Sequence, residues 1–94
     1  MKYDLTEVDK VFKELGYERY GDYTDLISYM KVNSLKYKKD YKVTTFINAD
    51  LLFKELVIST YYNRDGEIPR MVDTSIEPEL YKAIDLLLKT VGII

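Results

Sequence analysis

At 94 residues, with 47% hydrophobic and 32% charged side chains, the chain has room for one packed domain and too little for two. It carries no cysteine and no histidine, which excludes disulfide staples, the usual zinc sites, Ser-His-Asp triads and Cys-His dyads. The net charge is −2, and no apolar stretch reaches the roughly 18 residues of a bilayer-spanning helix, so neither general nucleic-acid binding nor membrane insertion is expected.

The first segment, Met1-Lys2-Tyr3-Asp4, leads into a charged helical pattern rather than an apolar leader, and a cytoplasmic protein is expected. Asp4 is placed to cap a helix, Glu7 to complete a capping box, and Tyr3 to staple onto Val8. Leu5, Val8, Phe12 and Leu15 recur at helical spacing, and Gly16 stands where a left-handed stop belongs. Tyr17 to Tyr23 reads as a polar, tyrosine-rich connection.

From Thr24 the period shortens to two. Leu26, Met30 and Val32 share one face of a strand, and Ile27 and Tyr29 take the other. The lysine-rich stretch from Asn33 to Asp40 reads as a hairpin loop. Tyr41 to Ile47 alternates as a second strand, Asn48-Ala49-Asp50 as a turn, and Leu52 to Tyr62 as a third strand. Asn63-Arg64-Asp65-Gly66 is a further turn, and Ile68 to Val72 reads as a short edge strand interrupted by Pro69. A closing helix carries Leu80, Ile84, Leu87 and Val91 on one stripe, with Thr74 or Ser75 as its cap, Pro78 in its first turn and Gly92 at its end. The expected architecture is α+β over residues 1–94: helix, three- or four-stranded antiparallel meander sheet, helix, with both helices on one sheet face.

The charge is unevenly spread. Residues 1–30 sum to −3, residues 31–42 to +4 and residues 43–94 to −3. Lys36, Lys38, Lys39 and Lys42, interleaved with Tyr37 and Tyr41, are the candidate nucleic-acid contacts. Asp40-Tyr41-Lys42, with Asp25 and Glu14, loosely resembles the magnesium-holding hairpin of restriction-endonuclease-like nucleases. In that reading Asp25 and Asp40 share the ion. Against both readings, a solvated loop of lysines also keeps sheet edges apart. Helix–three strands–helix is also the order of double-stranded-RNA-binding domains, but Asp73, Glu77 and Glu79 crowd the second helix start, where those domains place lysines.

Ten tyrosines are more than a core this size needs. Tyrosine offers a large contact surface with a polar tip, and Tyr17, Tyr20, Asp22 and Tyr23 are the expected contacts with a protein partner. Leu86, opposite the helical stripe, and the apolar end Val91-Gly92-Ile93-Ile94 suggest a homodimer.

Phe12-Lys13-Glu14-Leu15-Gly16-Tyr17-Glu18, a strand hairpin, and Ile76-Glu77-Pro78-Glu79-Leu80-Tyr81-Lys82-Ala83-Ile84 together resemble the framework of small uncharacterised phage and prophage proteins of low-GC Gram-positive bacteria. The resemblance rests on caps and apolar stripes. By analogy it implies a stoichiometric inhibitor or modulator of a host protein, anti-CRISPR-like anti-defence proteins included, with no cofactor and no enzymatic activity. Nucleic-acid binding or magnesium-dependent cleavage through Lys36–Lys42 is the alternative, and a self-associating structural accessory is the third reading.

Overall fold

A computed structural model describes residues 3–21, 23–34, 40–64 and 66–94. Asp22, Lys36, Lys38 and Lys39 lie outside the described residues. In chain order the elements are α1 (Thr6–Glu14), β1 (Glu18–Arg19), β2 (Leu26–Ser34), β3 (Tyr41–Asp50), β4 (Glu55–Arg64), β5 (Arg70–Val72) and α2 (Pro78–Thr90). The strands form one open antiparallel sheet in the order β1-β2-β3-β4-β5. The fold is therefore α+β, with five strands where the sequence predicts three or four. The additional strand, β1, lies inside the tyrosine-rich connection; two exposed charged residues leave no alternation to read.

α1 is held at both ends by local chemistry. Asp4 accepts from the backbone N–H and the hydroxyl of Thr6, at 3.1 and 2.7 Å, so it turns the chain into the helix without capping it; the N-cap position is Leu5. At the other end Gly16 has φ +89°, its N–H reaches the Lys13 carbonyl, and the Tyr17 N–H reaches the Phe12 carbonyl at 2.9 Å. This is a Schellman stop, and its usual apolar contact is present: the Phe12 and Tyr17 rings meet edge to face at 5.8 Å. α2 ends the same way at Gly92, with the Ile93 N–H on the Leu88 carbonyl. Its start differs from expectation. Glu77 is the N-cap and makes no side-chain cap bond, while Thr74 hydrogen-bonds Thr60 at 2.7 Å.

The core lies on one side of the sheet. Ile27 and Tyr29 of β2 pair with Ala49 and Ile47 of β3, so all four side chains share one face. They join Leu5, Val8 and Phe12 of the α1 segment and Leu80, Ala83, Ile84, Leu87 and Val91 of the α2 segment in a single cluster. Tyr29 and Phe12, both fully buried, stack with centroids 4.1 Å apart and planes 9° apart. Leu86 and Ile93 are partly buried against the same cluster, while Ile94 is 64% exposed. Among the described residues no helix is long and apolar enough to cross a membrane.

The β3–β4 turn also sits later than predicted. β3 runs on through Asn48 to Asp50, because Ala49 is needed inside, and the turn is residues 51–54. The Asp50 carboxylate accepts from the N–H groups of Leu52 and Phe53, at 3.0 and 3.1 Å, and Lys54 closes the turn at φ +54°.

Gly16→Ala places a Cβ in the left-handed region and is expected to cost about 1–2 kcal/mol. For a chain of this size that lowers Tm by at least ~4 °C in a thermal melt. An unchanged Tm would contradict a left-handed Gly16.

Candidate functional site

Among the described residues, the sequence-predicted contacts Tyr17, Tyr20 and Tyr23 do not form one surface. Tyr17 is buried, and its ring is part of the core beside Phe12, so it is withdrawn as a contact. Lys31 Nζ lies 5.6 Å from its ring centre. Burial raises its pKa, the neighbouring Thr45 hydroxyl works against that, and the Glu77 charge adds to the rise. Tyr20 is exposed, on the sheet face away from the helices, with its ring edge to face against Phe46 at 5.8 Å. Tyr23 is exposed in the β1–β2 connection.

That connection reaches the same end of the sheet as the β3–β4 turn, because the Leu51 N–H donates to the Asp25 carbonyl at 2.8 Å. At this end Leu52 and Phe53 stand side by side, 68% and 69% exposed. They are held on a turn whose geometry the Asp50 carboxylate sets, so two large apolar side chains are presented with little freedom left to lose. Around them stand Asp25, Asp50 and Glu55, with Lys54 as the one cation of the turn. Asp50 and Glu55 are directly paired across β3 and β4, a like-charge arrangement that costs stability. The sequence reading missed Leu52 and Phe53 because it counted Leu52 into a strand. The available sign was Asp50, whose carboxylate competes for the N–H groups just beyond it.

The sheet face opposite the helices is the second surface. Register places its side chains in rows: Ser28, Asn48 and Val57; Glu18, Met30, Phe46 and Ser59; Val32, Thr44, Tyr61 and Met71. Glu18, at the β1 edge, is charged, and Ser28, Thr44, Asn48 and Ser59 are polar. Thr44, Phe46, Tyr61, Asn63 and Pro69 line an open hollow on it.

The magnesium-nuclease constellation is not assembled. Asp25 precedes β2 at the end where Asp50 and Glu55 pair, and Asp40 precedes β3 at the other. The ten-residue length of β3 separates these ends by about 30 Å, too far to share an ion. Asp40 instead pairs with Arg64 at 2.8 Å, and the Asp40 charge holds the Arg64 guanidinium above its ordinary pKa. Lys42 belongs to the helix-free face, opposite Asn63 and Ser34. A polar cleft of about 190 Å³ between the sheet and the helix ends, lined by Tyr17, Lys31, Thr45 and Glu77 among others, is smaller than ordinary small-molecule sites.

The remaining polar cluster is structural. The Tyr29 hydroxyl donates to Asp9 Oδ1 at 2.6 Å, and the other oxygen of Asp9 lies 3.7 Å from Arg19. This joins α1, β1 and β2 beneath the stacked rings. Burial raises the Tyr29 pKa, and donation to Asp9 raises it further. Comparison of the chain with protein-family models, curated proteins and solved structures finds no match.

The raised phenols set the alkaline behaviour. Above about pH 10 the unfolded chain loses the tyrosine protons that the folded chain keeps, so stability falls as pH rises, by up to about 1.4 kcal/mol per pH unit for each such group. Tyr29→Phe is expected to cost about 1–3 kcal/mol near neutral pH, through the lost bond to a charged acceptor. It is also expected to flatten the decline between pH 10 and 11.5 in urea melts. A decline of unchanged slope would mean that Tyr29 is not the titrating group.

Proposed function

We propose that this protein is a non-enzymatic binding module that acts stoichiometrically on a protein partner, and that the end of the sheet carrying Leu52 and Phe53 makes the contact. The observation that carries this reading is the exposed, adjacent pair of large apolar side chains on a turn fixed by Asp50. Binding energy at protein interfaces concentrates in a few such anchors, which fill a pocket and exclude water. Asp25, Asp50 and Glu55 beside the anchor select a pocket with a basic rim and repel an anionic lipid surface. Tyr23 extends the apolar contact on the β1–β2 side, and Tyr20 borders it.

The sequence resemblance to small phage proteins supports an inhibitor or modulator of a host protein, in the manner of anti-defence proteins. Such a protein needs only to occupy a site, and an acidic, apolar-tipped end suits occupation of a basic groove.

Affinity capture of the tagged chain from a nuclease-treated lysate of a low-GC Gram-positive bacterium is expected to retain one protein in stoichiometric amount. Phe53→Ala should weaken that capture at least tenfold, about 1.4 kcal/mol or more, as for a hot-spot residue. Leu52→Ala should have a comparable effect and Tyr23→Ala a smaller one, with thermal stability unchanged. Equal capture by all three variants would contradict this placement. Retention of nucleic acid alone, without nuclease, would move the function to the lysine segment and Lys42.

A further inference from the structure

We propose that the polar cleft between the sheet and the helix ends binds a small zwitterion, an α-amino acid with a short side chain. The cleft lies on the core side of the sheet, away from Leu52 and Phe53 at its tip, and the inference stands independently of the partner contact.

The cleft forms where α1 ends, α2 begins and the sheet runs on beyond both. Thr45 stands opposite Lys31 across β3 and β2 on its floor, and the buried ring of Tyr17 closes it at the end of α1. Two opposite charges open onto this space: Lys31, half-buried on β2, and Glu77, exposed at the rim where α2 starts. Among the described residues they form no ion pair, with each other or with a third group.

Each charge has a reason to be where it is. The stem of Lys31 runs past Gly16, where an added Cβ would lie 3.1 Å from Lys31 Cε, and its ammonium stands 5.6 Å from the centre of the Tyr17 ring. A missing side chain and an aromatic ring thus hold the cation at one wall. Glu77 occupies the N-cap position of α2 without making a cap bond, so its carboxylate is not committed to the helix. Its charge reaches the Tyr17 phenol, so both charges bear on the same ring.

Charge and volume select the ligand. An anion alone would meet Glu77, and a cation alone would meet Lys31. A molecule that carries both charges is attracted at both walls, its carboxylate to Lys31 and its ammonium to Glu77. Leu15 and Leu80 add an apolar margin for a short side chain. At about 30 Å³ for each water-sized group, a cleft of about 190 Å³ takes about six non-hydrogen atoms, the size of alanine. A nucleotide exceeds it.

Titration of the isotope-labelled full chain with L-alanine, up to about 50 mM and followed by NMR, tests this. The expected result is saturable shifts at Tyr17, Thr45 and Leu80, with Leu52 and Phe53 unmoved and a Kd of about 1 mM or below. Acetate and methylammonium, which carry one charge each, should bind at least tenfold more weakly. Lys31→Met keeps the apolar stem and Glu77→Gln keeps the side-chain shape. Each should weaken alanine binding at least tenfold while the far-UV spectrum and Tm stay those of the wild type. If either variant fails to fold, the comparison of alanine with acetate and methylammonium on the wild-type chain decides alone. An absence of saturable shifts would overturn the proposal. So would acetate that binds as tightly as alanine, since the cleft would then be an anion site, or alanine binding that both folded variants leave intact.

Discussion

Phe12 and Tyr29 lie flat against each other, 4.1 Å between centroids, with neither ring reached by solvent. The contact joins the middle of α1 to the centre of β2, and the surrounding parts of the fold are organised about it. The edge of Phe12 receives Tyr17, delivered there by the left-handed turn at Gly16. The far end of Tyr29 donates to Asp9, which also draws in Arg19 and so brings β1 onto the sheet. Two buried rings of this size contribute several kcal/mol through burial alone, a large share of the net stability of a domain this small.

A core built on one side of a sheet has a geometric consequence. Helices of nine and 13 residues measure about 14 and 20 Å, against strands of about 33 Å. They cover the half of the sheet that holds Ile27, Tyr29, Ile47 and Ala49. Beyond them the same face is finished with hydroxyls, Thr45 to Thr60 to Thr74, and with the stacked rings of Tyr41 and Tyr62. Groups that bond each other can sit at a margin where water enters, and among the described residues no buried side-chain polar atom lacks a partner. Among the described residues the opposite face carries no helix, and its side chains mix Met30, Val32, Phe46, Val57 and Tyr61 with Glu18, Ser28, Thr44, Asn48 and Ser59. The acidic end, with Leu52 and Phe53, departs from stability: apolar groups stand in water beside carboxylates that repel. Such departures from local optimum are where binding is sought.

Much of the fold was legible because its signals are local. The stripe Leu5, Val8, Phe12, Leu15, the stop at Gly16, and the split of β2 into Ile27 and Tyr29 against Leu26, Met30 and Val32 all follow from spacing and steric preference. What escaped depends on tertiary context. β1 is a strand only because Met30 and Tyr29 offer it an edge and Asp9 offers Arg19 a partner. The β3–β4 turn moved because burial of Ala49 outweighed the turn preference of Asn48 and Asp50. Tyr17 looked like a surface tyrosine because its neighbours are polar, whereas the Schellman geometry carries it inward. Tyr20 and Tyr23 were legible as exposed rings; their separation onto a sheet face and a loop was not.

The central claim is that Leu52 and Phe53, held on the turn that Asp50 sets, form the contact proposed for a protein partner. A soluble paramagnetic probe, read on the isotope-labelled chain with and without the captured partner, tests it directly. The side-chain signals of Leu52 and Phe53 should broaden strongly in the free chain and become shielded in the complex. Tip signals that stay equally accessible in the complex would contradict the account.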